Sequence, residues 1–139
     1  MILLDTSGLL AALDRDDPRQ DACARALRAA GEPWLLSPFV LAELDYLLAE
    51  RVHPRVERAL LREVADGAYR LEPFGPEDVA DALEVIERYG DLRIGLADAS
   101  LVVLAARHGV GDVLTLDERH FRVLRGPGSQ PFRLLPADA

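Results

Sequence analysis

The chain opens with a short apolar run, Ile2-Leu3-Leu4, broken off by Asp5-Thr6-Ser7-Gly8. Consecutive apolar residues closed by polar and turn-forming ones read as a short buried strand, here followed by a small apolar helix starting near Gly8. Asp17-Pro18-Arg19-Gln20 has the marks of a helix start: Asp as cap, Pro at the first position and Gln three residues after the cap. That helix is expected to run to Ala30 and stop at Gly31, burying Ala22, Cys23, Ala26, Leu27 and Ala30. Trp34-Leu35-Leu36 reads as a second strand. Ser37-Pro38 then caps a third helix reaching about Arg51, and Pro54 to Ala65 forms a fourth, closed by Gly67.

The second half repeats the alternation. Tyr69 to Glu72 is a weaker strand, and Gly75-Pro76-Glu77 opens a helix with Val79, Leu83 and Ile86 on one face. Ala97 to His108 is strongly helical and ends at Gly109. Asp112 to Leu116 is a strand, Asp117 begins a short helix, Gly126-Pro127-Gly128 is a turn, and Phe132 to Leu135 is a last strand. Short strands alternating with helices predict an α/β domain whose mainly parallel sheet is covered by helices. No repeat, low-complexity tract or linker interrupts residues 1–139, so a single domain is expected.

Composition narrows the chemistry. The longest uninterrupted apolar run, Leu101 to Ala106, falls far short of the roughly 18 residues a membrane span needs. No basic residue precedes Arg15 and Asp5 interrupts the first apolar stretch, which is not the pattern of a signal peptide; a cytoplasmic protein is expected. The one cysteine, Cys23, excludes an internal disulfide and a Cys-based zinc site, and its position reads as packing. The 16 basic residues are all Arg; the absence of Lys removes Schiff-base chemistry and the P-loop lysine. Against 24 acids they leave a net charge of −8. Residues 72–104 carry eight acids and two Arg, whereas residues 105–139 carry four acids and five Arg. An acidic chain is poorly suited to hold nucleic acid by long-range attraction. If it handles a polyphosphate, a divalent metal must offset its carboxylates, with the C-terminal arginines assisting.

Four carboxylates stand out from the polar helix faces. Asp5 and Asp117 follow short apolar strands, where ligands bind in open parallel sheets. Glu43 falls within the apolar stripe of its helix, between Val40 and Leu44/Leu47, and Asp98 lies in the first turn of the most apolar helix. Unpaired carboxylates in such places are penalised or become protonated, and a shared cation relieves that penalty. Oxygen ligands without Cys or clustered His suit Mg²⁺ or Mn²⁺. Taken singly, Asp5 and Asp117 could be helix caps, and Asp98 could complement a helix dipole. A partly exposed stripe edge, or an ion pair with a neighbouring Arg, is the bland account of Glu43.

The segments Met1-Ile-Leu-Leu-Asp-Thr-Ser-Gly-Leu, Ser37-Pro-Phe-Val-Leu-Ala-Glu-Leu-Asp-Tyr, Gly95-Leu-Ala-Asp-Ala-Ser and Leu114-Thr-Leu-Asp-Glu-Arg-His-Phe resemble, in this order, the PIN-domain ribonucleases, and more closely the VapC toxins of type II toxin–antitoxin systems. The resemblance implies a three-layer α/β/α fold around a short parallel sheet. It also implies an Mg²⁺- or Mn²⁺-dependent endoribonuclease acting on transfer or ribosomal RNA, homodimeric and neutralised by a VapB-type antitoxin. Carried over by motif, Asp5, Glu43, Asp98 and Asp117 match the family's metal-binding catalytic acids. Ser7 and Thr115 match its neighbouring hydroxyls, which could support the acids or touch phosphate, although capping and strand-end hydrogen bonding explain them equally well. Arg119 is a candidate phosphate contact in a segment that also holds His120, Arg122 and Arg125; a solvated helix face accounts for these too. His53 and His108 read as helix-end residues.

The haloacid-dehalogenase phosphatases and phosphoacceptor receivers also begin with a strand and an Asp, but they want a second acid close by and a lysine, and both are missing here. A catalytically inactive PIN-like domain that binds RNA or a partner is the stronger rival; retention of all four acids argues against it.

Overall fold

In the computed structural model, which describes residues 1–139, strands and helices alternate as β1 (Ile2–Leu4), α1 (Thr6–Leu13), α2 (Gln20–Ala30), β2 (Trp34–Leu36), α3 (Pro38–Leu47), α4 (Pro54–Ala65), β3 (Arg70–Leu71), α5 (Pro76–Arg88), α6 (Leu96–His108), β4 (Asp112–Leu114), α7 (Glu118–Phe121) and β5 (Arg133–Leu135). Every strand pairing is parallel, and the strand order is β3-β2-β1-β4-β5. Helices flank this five-stranded sheet, as the alternation requires. Ile2, Leu3 and Leu4 are completely buried, which is why β1 is an unbroken apolar run rather than an alternating one.

The strand order positions the site. From central β1 the sheet grows to one side through β2 and β3, then returns to the other side through β4 and β5. Such a reversal opens a crevice beyond the carboxyl ends of the two strands that flank it, because their connections leave towards opposite faces. Here the two are β1 and β4, joined at their ends by the Asp5 N–H donating to the Leu114 carbonyl at 3.0 Å.

α6 is buried on most sides, with Ala99, Ser100, Leu101, Val103, Leu104 and Ala105 all inside. Its one buried hydroxyl is satisfied: Ser100 Oγ lies 2.7 Å from Ser37 Oγ and donates to the Ala97 carbonyl at 2.6 Å. Ser37 also accepts the Phe39 N–H at 3.1 Å as the cap of α3. α3 closes in a single π-helical turn, Leu48–Val52, after which His53 Nδ1 accepts the Arg55 N–H at 3.0 Å and caps α4. Cys23 is free and fully buried, consistent with packing.

Two boundaries differ from expectation. α2 starts at Gln20, later than its cap signal, because Asp17 Oδ1 accepts the Arg19 N–H at 2.8 Å and turns the chain locally instead of capping the helix. β4 ends at Leu114, so Asp117 stands three residues beyond the strand rather than directly after it. Away from the crevice, Glu72 is only 5% exposed and is held by His108 Nε2 and by Arg107, whose Nη1 lies 3.1 Å from Glu72 Oε1. Arg107 also pairs with Asp78 at 3.0 Å. His108 is thus a hydrogen-bonding partner of Glu72 at its helix end. No helix is long and apolar enough to cross a membrane.

Candidate active site

Asp5 is the fixed point of the crevice. It directly follows β1 in extended conformation, and its side chain makes no capping bond to α1, so the simple cap account of this residue fails. Two hydroxyls donate to its Oδ2, Ser7 Oγ and Thr115 Oγ1, each at 2.7 Å. Those hydroxyls are themselves held by backbone. Ser7 Oγ accepts the Leu116 N–H and Thr115 Oγ1 accepts the Asp117 N–H, both at 2.9 Å. The ends of β1 and β4 are therefore laced together through one carboxylate oxygen, leaving Oδ1 without a side-chain donor. Thr115, at 1% exposure, is buried and supports Asp5.

Asp98 enters from the first turn of α6 and Asp117 from the residue preceding α7. Asp117 does cap its helix, accepting the His120 N–H on Oδ1 at 3.0 Å. Its other oxygen, Oδ2, lies 2.9 Å from His120 Nδ1, and Asp98 Oδ2 lies 3.2 Å from the same nitrogen. Neither contact is aligned as a hydrogen bond, and Nδ1 is a buried polar atom without a partner. From sequence alone His120 is at most a member of a segment that could meet phosphate. Its signal was the Asp-x-x-His spacing, which puts positions 117 and 120 on one side of a single helical turn.

Glu43 corrects the helical-stripe argument. It is exposed rather than inside the apolar face, because the buried stripe of α3 runs through Val40 and Leu44 and leaves position 43 at its edge. The edge nonetheless faces α1: Thr6 Oγ1 donates to Glu43 Oε1 at 2.6 Å. Arg119 is exposed and makes no ion pair, while Arg122 is taken up by Glu118 and Asp138 at 2.7 and 2.8 Å.

The charges bear on Asp98 and Asp5. Burial pushes the Asp98 carboxyl up to about 6; the charges of Asp5, Asp117 and Glu43 push the same way, against the pull of His120. Asp5 is also raised, chiefly by burial, against the Ser7 and Thr115 hydroxyls that favour its charged form. The structure thus brings Asp98 and Asp117 together around one unbonded imidazole nitrogen of His120, their ligand atoms within 4.8 Å of one another, while Asp5 and Glu43 lie outside that group and reach Asp98 through their charge. Oxygen donors with a single nitrogen suit a hard or borderline divalent cation, and no cysteine is near to favour a soft one.

Residues 2–126 match the PIN domain family model. The chain is 42% identical over 135 residues to ribonuclease VapC26 of Mycobacterium tuberculosis, covering 97% of this chain and all of the relative. It belongs to the VapC family of PIN-domain ribonucleases. Two solved structures share the fold. VapC20 of Mycobacterium tuberculosis, described as a toxin cleaving the sarcin–ricin loop, superposes with a TM-score of 0.78 at 21% identity, over 85% of this chain and 91% of that one. FitAcB of Neisseria gonorrhoeae gives 0.62 at 24% identity, over 85% and 88%. The phosphatase and receiver readings fall away, and the expected rival of a non-enzymatic domain gives way to a ribonuclease.

Proposed function

We propose that this VapC-family chain is a divalent-metal endoribonuclease in which Asp5, Glu43, Asp98 and Asp117 hold Mg²⁺ or Mn²⁺. The observation that carries the reading is the crowding around Asp98: its Oδ2 and that of Asp117 lie 3.2 and 2.9 Å from one imidazole nitrogen, and burial with the charges of Asp5, Asp117 and Glu43 raises Asp98 to about 6. Such crowding is costly unless positive charge relieves it. A divalent cation bound there would supply that charge and a Lewis acid for the scissile phosphodiester. The protein's own part is orientation. Ser7 and Thr115 pin Asp5 at one oxygen, Thr6 steadies Glu43, and the α7 cap fixes Asp117 relative to Asp98. Arg119, exposed, unpaired and adjacent in sequence to His120, would meet phosphate in an otherwise acidic molecule.

The family resemblance supports a toxin of a type II system, working in the cytoplasm as a homodimer and neutralised by a VapB-type antitoxin. The exposed apolar positions Val79 and Leu83 on α5 offer a contact face for either partner. Transfer RNA and ribosomal RNA loops are the substrate classes to test, the latter because VapC20 is described as cutting one.

The deciding experiment incubates the purified chain with total cellular RNA in Mg²⁺, in Mn²⁺ and in EDTA, and maps the cut ends by sequencing. Discrete cuts are expected with either metal, none in EDTA, and at least a hundredfold loss in folded Asp5→Asn. Cutting that persists in EDTA, or in the variant, would remove the acids from the chemistry.

A further inference from the structure

We infer that His120 is a nitrogen ligand of the cation at this site, alongside Asp98 and Asp117, and that it biases the site towards Mn²⁺ over Mg²⁺. The inference rests on the metal-dependent reading above and extends it from four acids to a mixed oxygen and nitrogen set. Its starting point is the ring nitrogen. Nδ1 is buried, lies 2.9 Å from Asp117 Oδ2 and 3.2 Å from Asp98 Oδ2, and yet forms no aligned hydrogen bond with either. A buried ring nitrogen that close to two carboxylates and bonded to neither is a wasted interaction, which native interiors avoid.

Ligand geometry accounts for it. In an octahedral shell with bonds of about 2.1 Å, neighbouring donors stand about 3.0 Å apart, and each lies roughly 45° off the other's lone-pair axis. Both observed separations match that spacing, and neither contact is aligned as a hydrogen bond, as expected of neighbouring ligands. The three donor atoms belong to a group whose ligand atoms all lie within 4.8 Å of one another. The local fold also holds the ring in place. Asp117 grips the His120 N–H with Oδ1, which leaves Oδ2 and Nδ1 of the same turn facing one centre. Mg²⁺ favours oxygen and holds its waters tightly, whereas imidazole is a better ligand for transition-metal ions. A nitrogen in the set therefore raises Mn²⁺ affinity more than Mg²⁺ affinity.

The test is Mn²⁺ binding to the full chain, read by electron paramagnetic resonance with electron spin-echo detection of ligand nitrogen. Protein with natural-abundance histidine should show the coupling of a directly bound ¹⁴N, replaced by a ¹⁵N pattern after histidine-specific labelling. His120→Asn should lose that coupling and at least tenfold in Mn²⁺ affinity, with a change of less than about threefold for Mg²⁺. Should His120→Asn not fold, a His53→Ala/His108→Gln double variant must retain the coupling, since only three histidines exist. Bound Mn²⁺ with no nitrogen coupling would overturn the inference and reduce His120 to an ion-pair partner of the two aspartates, leaving the metal-dependent nuclease intact. Absence of Mn²⁺ binding at millimolar concentrations would overturn both.

Discussion

Asp98 holds its carboxylate where water is scarce and three other acids are near, and its behaviour with pH follows from that. With its folded value raised to about 6, above the ordinary 3.8, the native state binds the proton more tightly than the unfolded chain. Its contribution to stability is complete below about pH 4 and is lost as the pH rises through about 6. Asp5, raised chiefly by burial, acts in the same direction. In EDTA at pH 7, Asp98→Asn should therefore be more stable than the wild type by about 1–2 kcal/mol, a figure kept below the full shift because the carboxylate is partly exposed. The gain should vanish near pH 4. Urea denaturation at the two pH values checks this, and a variant less stable at pH 7 would mean that the carboxylate is already well compensated by His120.

At the scale of elements, the site depends on how closely α1 lies against β4. Gly8 makes that approach possible: a Cβ there would sit 2.5 Å from the Leu114 carbonyl oxygen and 2.6 Å from its carbon, both backbone atoms that cannot swing away. Gly8→Ala must force the helix and the strand apart. The expected cost is about 2–3 kcal/mol, typical of overpacking in a tight interior. Because Ser7 precedes the clash and bonds both Asp5 and the Leu116 N–H, cleavage should fall further than stability alone explains. Thermal melting and cleavage rates measured on the same preparation test the pair of effects; wild-type values in both would show that α1 has room to shift.

Across the whole molecule, the Glu72–Arg107–His108–Asp78 cluster joins the segment after β3 to the start of α5 and the end of α6. It shares no residue with the crevice, so its role is to hold the α5–α6 pair in place. Glu72→Ala strips a buried acceptor from both Arg107 and His108, an imbalance worth about 3 kcal/mol or more. For a domain of this size that lowers the melting temperature by roughly 10 °C. Metal-dependent cleavage at 25 °C should stay near the wild-type rate, since Asp98 sits at the other end of α6. An unchanged melting temperature would show that the ion pairs merely break even with solvation.

Much of this protein was legible along the chain because its determinants are local. A continuous apolar β1, the Ser37-Pro38 and Gly75-Pro76 helix starts, and glycine after α6 each express a backbone preference that the next few residues satisfy. The family motifs were legible for the same reason, being short segments in a fixed order. Burial, spacing across the crevice and competition for hydrogen bonds are not local. Glu43 reads as inward by period, but the packing of α3 turns it to the stripe's edge, where Thr6 meets it. Asp17 has the chemistry of a helix cap but bonds its own turn instead. Ser7 and Thr115, 108 residues apart, find Asp5 together only because β1 and β4 are neighbours in the sheet. The unbonded nitrogen of His120 exists only where α6 and α7 converge, since a distance of closest approach between separate elements is written in no stretch of sequence.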